Sequence, residues 1–298
     1  MKVLVTGSKG FLGREIVKAI EAQGDEVVHY DILDGFDVLN LGQLEKAIAG
    51  VDQVVHLAAI ANLYRSQKDP DETFQINVVG TKRVAQICTQ FKKRLVYAST
   101  CCVYGDQKHE LLRGDRDSFQ EDVALPNPAE YYGNSKYAGE IIIKGYHTMF
   151  DLKYVMMRFA TIWGEGMRPE LGMHIFFRQA LRNEPITVHG TGKQTRTLTH
   201  VKDLARGVAF ALRAPDNQVY NISTDVSFSA VDLAHMIKKV TGSSSEIVFI
   251  EDRKGQVMDE RIEFLKLNEA TGWKPEMEIN EENLAALIPW MKKDLGIE

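Results

Sequence analysis

Tyr132 and Lys136 stand four positions apart in Tyr132-Gly-Asn-Ser-Lys136, a spacing that puts a phenol and an ammonium on one face of a helix. A nearby ammonium stabilises phenolate, so the pair reads as a general base for an alcohol losing hydride and as a general acid in the return direction. An ordinary solvated helix face shows the same spacing, so position decides. The pair follows Tyr97-Ala-Ser-Thr100, an apolar strand that ends in hydroxyls. Parallel sheets bind ligands just outside such carboxyl ends of their strands.

A second constellation lies at the start of the chain. Gly7, Gly10 and Gly13 enclose Ser8, Lys9, Phe11 and Leu12 between the apolar run Val3-Leu-Val5 and a helical pattern. Glycines at a strand-to-helix turn let the backbone approach a pyrophosphate, which the helix N-terminus then faces. Asp31 follows Gly13 by 18 residues, at the end of the next apolar run, where a carboxylate can accept from both ribose hydroxyls. Residues Ile32 to Asp37 hold no Lys or Arg, which favours NAD over NADP, whose extra phosphate would meet a carboxylate without a cation.

The elements that must position these groups alternate regularly. Val27–Tyr30, Val54–Leu57, Arg94–Ala98 and Tyr154–Phe159 read as strands. Arg14–Gln23, Leu44–Ala49, Thr73–Phe91 and Tyr131–Phe150 read as helices. Continuous rather than alternating apolar strands are buried on both faces, so the pattern predicts an α/β fold with a doubly wound parallel sheet. After residue 163 glycines break the rhythm, and Ile175–Arg182, Ile186–Val188, Asp203–Leu212 and Val219–Ile222 follow as shorter elements. The expected division is a dinucleotide-binding domain of residues 1–163 and 197–224, with a smaller substrate domain of 164–196 and 225–298. Asp106–Glu130, with seven acids against three Lys/Arg, reads as a long functional loop.

Composition narrows the classes. Of 298 residues, 44% are hydrophobic and 26% charged, as in globular proteins. A net charge of −5 offers no footprint for nucleic acid. The three cysteines, Cys88, Cys101 and Cys102, have neither disulfide-framework nor zinc spacing. No apolar run approaches the ~20 residues of a membrane span, and no metal site is expected. The expectation is a cytoplasmic protein.

Seven segments together resemble the extended short-chain dehydrogenase/reductase family, in its nucleotide-sugar epimerase/dehydratase branch. They are Thr6–Gly13, His56–Ala59, Asn77–Thr81, Ser99–Gly105, Tyr132–Lys136, Arg196–Asp203 and Thr271–Pro275. The resemblance implies that Thr100 hydrogen-bonds the reacting hydroxyl, that Tyr132 is the acid/base, and that Lys136 lowers its pKa and binds the nicotinamide ribose. It implies cofactor contacts at Gly7, Gly10, Phe11, Leu12, Gly13, Asp31, Leu57, Ala58, Ala59, Asn77 and Ser99, with Asp37-Val38 meeting adenine. Arg196 and Arg253 resemble the pair that grips a substrate pyrophosphate. Gln256 replaces the acid that often follows the second arginine. Thr161 stands where the family often carries a substrate-holding asparagine.

The residues after Thr100 bear on the reaction. Relatives that eliminate water carry an Asp-Glu pair there, and decarboxylating ones keep a Glu at the second place, whereas this chain has Cys101 and Cys102. The resemblance thus favours an NAD-dependent nucleotide-sugar 4-epimerase, on a UDP-hexose. The alternatives are a 3,5-epimerase using Cys102, a 4-ketoreductase or dehydrogenase, a 4,6-dehydratase, and a non-enzymatic dinucleotide sensor. Ile141, Ile142 and Ile143 sweep ~200° of one helix, more than a sheet face buries. The resemblance implies that the surplus meets a twofold partner, giving a homodimer.

Overall fold

The computed structural model describes residues 1–106, 120–253 and 255–297. The chain runs β1 (Lys2–Thr6), α1 (Phe11–Glu21), β2 (Glu26–Tyr30), α2 (Leu41–Ala49), β3 (Gln53–His56), α3 (Leu63–Lys68), α4 (Pro70–Phe74), α5 (Thr81–Gln90), β4 (Arg94–Thr100), α6 (Tyr131–Phe150), β5 (Tyr154–Phe159) and β6 (Thr161–Trp163). It continues through α7 (Gly172–Leu181), β7 (Ile186–His189), β8 (Thr195–His200), α8 (Val201–Ala211), β9 (Gln218–Ile222), β10 (Ser227–Ser229), α9 (Ala230–Thr241), β11 (Ile247–Ile250), α10 (Leu265–Thr271), α11 (Glu281–Ala286) and α12 (Ile288–Leu295).

Six strands form one sheet in the order β2-β1-β3-β4-β5-β9, each pair parallel. Alternate residues of each strand feed two different cores. Val3, Val5, Val55, Val96 and Val155 pack with α1 and α8 on one face. Leu4, Val54, Leu95, Tyr97 and Met156 pack with α2, α5 and α6 on the other. That two-sided burial is why the strands are apolar without alternation. The strand order reverses direction between β1 and β3, and ligands bind at such a switch point.

Beyond residue 163 a smaller region combines the sheets β10-β8-β6 and β11-β7 with helices. Trp163, Phe177, Ile186, Val188, Leu233, Ile237 and Leu284 form its core. Thr161–Trp163 does not extend the main sheet. It pairs in parallel with β8, because β9 occupies the edge of β5.

Two helices differ from the sequence pattern. The first begins at Phe11 rather than Arg14, because extended Gly10 leads straight from the glycine turn into it. The helix expected over Thr73–Phe91 starts at Pro70, where Asp69 caps it by accepting from the Glu72 N–H at 2.9 Å. Between α4 and α5 it winds as a π-helix over Gln75–Gly80. On α6 the isoleucine run divides as its sweep requires. Ile143 is fully buried, whereas Ile141 is 55% exposed.

Residues 107–119 of the expected Asp106–Glu130 loop lie outside the described residues. The segment C-terminal to them is anchored: Glu121 is buried and its carboxylate accepts from the Asn221 N–H on β9. No described helix is long and apolar enough to cross a membrane.

Candidate active site

The glycine turn joins β1 to α1 against the end of β3. Gly7 has φ +70°, and a Cβ there would stand 2.9 Å from the Ala58 nitrogen. A Cβ on Gly13 would come within 2.1 Å of the Gly7 carbonyl oxygen. Both positions therefore demand glycine. Gly10 differs, since a Cβ there would meet only the Gly7 oxygen, at 3.3 Å, which leaves the outer side of the turn open to a pyrophosphate. Inside the turn the buried Ser8 Oγ has no hydrogen-bond partner. Asp31, buried at the end of β2, accepts from Lys9 N–H at 2.8 Å and Leu33 N–H at 3.0 Å. A cavity of about 720 Å³, lined by Ile32, Gly35, Asp37, Leu39 and Arg83, opens beside it. These groups fit an NAD: turn amides toward its diphosphate, Asp31 toward a ribose, and the cavity with Asp37 and the buried Val38 toward its adenine.

Contrary to the expectation of an Asp31 without a nearby cation, Lys9 reaches across the turn into its neighbourhood. The Lys9 ammonium, however, pairs with Asp34, so the charge is met within the chain. Phe11 and Leu12 also have structural duties, Phe11 against the smaller region's core and Leu12 against the main one.

A hydrogen-bond relay connects this turn to α6. The Thr81 hydroxyl donates to the Asn77 carbonyl at 2.6 Å, so at 3.1 Å it must accept from His56 Nε2. His56 Nδ1 then accepts from the Thr6 hydroxyl at 2.8 Å, which fixes the tautomer. Burial pushes the His56 pKa down to about 3, with the Lys136 charge adding to the effect, so the ring is neutral. Thr6 Oγ1 in turn accepts from the N–H groups of Leu57 and Ala58 at 3.1 and 3.2 Å, which sets the strand end running toward Ala59. The Asn77 side chain donates to Ile60 O at 3.0 Å and Ser135 Oγ at 2.9 Å and accepts from Ile60 N–H at 2.7 Å. Asn77 is fully buried. Its side chain braces the end of β3 against α6.

At the end of β4, Thr100 Oγ1 accepts from Cys102 N–H at 3.2 Å, capping the short turn Cys101–Val103. The same hydroxyl acts on the Tyr132 phenol and pulls its pKa downward, so two of the three expected catalytic groups lie together. Lys136 goes elsewhere. It is buried, with its nitrogen 4.4 Å from the Tyr97 ring centre. Burial lowers its pKa to about 7, against the pull of Glu140 one helical turn along. The phenol is on balance raised rather than lowered. Burial pushes Tyr132 above its ordinary value and Cys102 adds to that, while Arg168 and Thr100 act in the opposite sense. The i,i+4 spacing secured a common helix face, and the ammonium of Lys136 rests over the Tyr97 ring.

Beneath this surface Ser99 is tied up as well. Its hydroxyl donates to Glu140 at 2.5 Å, and Arg158 clamps the same buried carboxylate through Nε at 3.0 Å and Nη2 at 2.8 Å. The Arg158 guanidinium lies 4.8 Å from the Tyr104 ring centre. Glu140 could have been suspected from its i,i+4 spacing to Lys136; Arg158 as its partner is visible only in the fold.

The substrate side gathers more distant residues. Arg196 donates to the Thr195 and Val257 carbonyls at 2.7 and 2.8 Å, and lies 3.7 Å from Glu260. Arg253 is held by Gln256 Oε1 through Nε at 3.2 Å and Nη2 at 2.9 Å. Gln256 thus orients the guanidinium without cancelling its charge. Both arginines act on Glu130, which burial pushes upward, so they share one end of the cleft. Thr161 donates to Glu260 at 3.3 Å. Glu260 is buried and also hydrogen-bonds Cys101, and its pKa is raised by burial. The wall beside Thr100 therefore does receive an acid, although from a segment 160 residues away. Cys101 is pushed upward by its hydrogen bond to Cys102, by burial and by Glu260.

A model of the NAD dependent epimerase/dehydratase family matches residues 3–223. The chain belongs to that family. Among solved structures it is similar to UDP-glucose 4-epimerase of Thermotoga maritima, with 25% identity and a TM-score of 0.89 over 99% of this chain and 100% of that one. It is also similar to UDP-glucuronic acid 4-epimerase of Bacillus cereus, determined with UDP-glucuronic acid and NAD, at 28% identity and TM-score 0.88 over 98% and 99% of the two chains. UDP-glucuronic acid decarboxylase 5 of Arabidopsis thaliana is 27% identical over 314 residues, spanning 100% of this chain and 90% of its own length. This member of the family thus shares its fold with enzymes of several nucleotide-sugar chemistries.

Proposed function

We propose that the protein is an NAD-dependent nucleotide-sugar 4-epimerase acting on a UDP-hexose. The observation that carries the reading is Thr100 at the carboxyl end of β4, within reach of the Tyr132 phenol and followed by two thiols rather than two acids. When bound, NAD supplies a reversible hydride acceptor and a positive charge. Thr100 orients the sugar's 4-hydroxyl, and Tyr132 takes its proton as C4 is oxidised and returns it to the same oxygen when the turned 4-keto sugar is reduced on its other face. Lys136 lies where its charge can meet a ribose hydroxyl. Arg196 and Arg253 hold the diphosphate, so the sugar can turn while its anchor stays. Names of relatives, among them a UDP-glucose and a UDP-glucuronic acid 4-epimerase, support a UDP-linked substrate. The exposed Ile141 on α6 supports a homodimer through that helix, which sedimentation at micromolar concentration reads directly.

The Cys101–Cys102 hydrogen bond lowers the Cys102 pKa and favours, as a second reading, a 3,5-epimerase that exchanges carbon-bound protons. Turnover of UDP-sugars in D₂O separates the two. In 4-epimerisation the C4 hydrogen never becomes exchangeable, so the product carries no deuterium on carbon and no net NADH is released. Deuterium at C3 or C5 would transfer the assignment to Cys102. Deuterium at C6 with loss of water would assign a 4,6-dehydratase.

A further inference from the structure

The glycine turn carries a cation that the reaction at the sugar does not use. Lys9 lies between Ser8 and Gly10, and its backbone N–H donates to Asp31 Oδ2 at 2.8 Å. Its side chain therefore starts beside the carboxylate that fits the ribose. From there the ammonium crosses to Asp34 and pairs with it. Asp34 is itself held in place. Its N–H donates to the Asp31 carbonyl at 2.9 Å, and the Asp31 carboxylate closes the same turn by accepting from Leu33 N–H at 3.0 Å. Gly35, at φ +80°, ends the turn, and Gln43 Nε2 donates to its carbonyl at 3.0 Å. One carboxylate, Asp31, thus organises both the residue that bears the cation and the turn that bears the cation's partner.

This arrangement bears on which dinucleotide fits. NADP differs from NAD by a phosphate on the ribose that Asp31 would hold, and an ammonium on a flexible four-carbon stem is a ready partner for such a group. Lys9 starts from the right place, but its charge is already taken. Asp31 and Asp34 against Lys9 leave this edge of the site with one net negative charge, so an entering phosphate would meet two carboxylates and a spent cation. The other cations stand elsewhere. Arg14 is exposed, donates to the Lys9 carbonyl at 3.2 Å and lies against Gly166. Arg83 lines the cavity that fits adenine, together with Asp37. Folding gives little reason for the Lys9–Asp34 pair. The two side chains keep 44% and 33% of their surface exposed, and pairs so placed add little to stability.

We propose that Asp34 is a specificity-determining residue, which sequesters the Lys9 ammonium and thereby excludes the ribose phosphate of NADP. Asp31 receives the ribose, and Asp34 withholds the cation that would otherwise receive a phosphate. The preference for NAD is then built from two acids with separate duties. Only the second can be removed without removing the ribose contact. The inference concerns the dinucleotide site and is read by binding alone, so it stands or falls apart from the 4-epimerase reading.

The test is calorimetric titration of the full chain with NAD and with NADP. Wild type should bind NAD about a hundredfold more tightly. Asp34→Asn should tighten NADP about tenfold and change NAD by less than about threefold. Asp34→Glu keeps a carboxylate within reach of the ammonium and should retain the wild-type preference. Lys9→Met alone should leave NADP no tighter, whereas in the Asp34→Asn background it should cancel most of the gain. That dependence marks a released ammonium, since simple loss of repulsion needs no Lys9. An Asp34→Asn variant that bound NADP as weakly as wild type would overturn the proposal. A gain that survived Lys9→Met would overturn it too, and would assign the phosphate to Arg83 or to reduced repulsion. Loss of both dinucleotides in Asp34→Asn, with an unchanged melting temperature, would place Asp34 in the ribose contact itself and equally overturn the division of duties.

Discussion

The two sides of the cleft handle their polar groups in opposite ways. On the side of β1, β3 and β4, buried donors and acceptors are matched within the chain: Thr6 to His56 to Thr81, Asn77 to Ile60 and Ser135, and Ser99 to Glu140 and Arg158. On the far side the arginines are held at hydrogen-bond distance by carbonyls and an amide, with the Glu260 carboxylate farther off, 3.7 Å from Arg196. A site complete before its ligand arrives keeps a fixed geometry, whereas one that keeps unspent charge is completed by an anion. Cofactor geometry and substrate capture are divided accordingly between the two regions.

The largest break in that comparison should come from Tyr132, where the two sides meet. Tyr132→Phe keeps the ring and loses the ionisable oxygen, so kcat should fall about a thousandfold, within the range for a lost acid/base. Its melting temperature should stay close to wild type, since the relay through Ser135 uses the Tyr132 backbone carbonyl and not the phenol. Wild-type turnover in this variant would remove the phenol from the reaction.

Glu121 offers a smaller effect and sharpens the contrast, being a buried acid on the matched side whose partner is a backbone N–H. Burial raises its pKa from 4.5 to about 7. Between those values the folded chain binds a proton that the unfolded chain has released. Its contribution is therefore full below about pH 4.5 and is lost as pH rises through 7. Glu121→Gln keeps the acceptor and cannot ionise. The variant should match wild type at pH 4.5 and melt several degrees higher at pH 8, for a difference of about 3 kcal/mol. An equal gap at both pH values would show that the carboxyl does not titrate in this range.

The smallest expected change is at Asp31. Asp31→Ala removes the ribose acceptor and should weaken NAD binding about tenfold. Binding of NADP should change less, because the lost charge no longer repels its phosphate, so the two affinities converge. A calorimetric preference as wide as that of wild type would place the ribose elsewhere.

Local pattern made the first side legible. Strand order and two-faced burial follow from continuous apolar runs, and the glycine turn is demanded by contacts only a few residues apart. Asp31 and the Tyr132 helix stand where their spacing put them. Contacts that cross between segments were hidden. Lys9 turning to Asp34, Lys136 lying over Tyr97, and Glu260 reaching Cys101 depend on which strand ends become neighbours. The bonds that Asn77 makes to Ile60 and Ser135 are likewise set by the fold. Arg168 left no local signal at all, because a lone arginine after a glycine-rich stretch looks like surface.

The winding of the helix through Gln75–Gly80 has a consequence for changes in chain length. A π-helical stretch holds an extra residue within its turn, and here that stretch carries Asn77. Deleting one residue between 75 and 80 would let the helix return to regular α winding. The wider π turn absorbs its extra residue, so the flanking helices would keep nearly the same orientation, and the residues within the stretch would change places instead. Asn77 could no longer face Ile60 and Ser135 while Thr81 faces His56. Exposed Phe74 and Gln75 make the segment look tolerant from outside. Its residue count is nonetheless fixed from within, and a homologue one residue shorter here must hold its catalytic helix by other bonds.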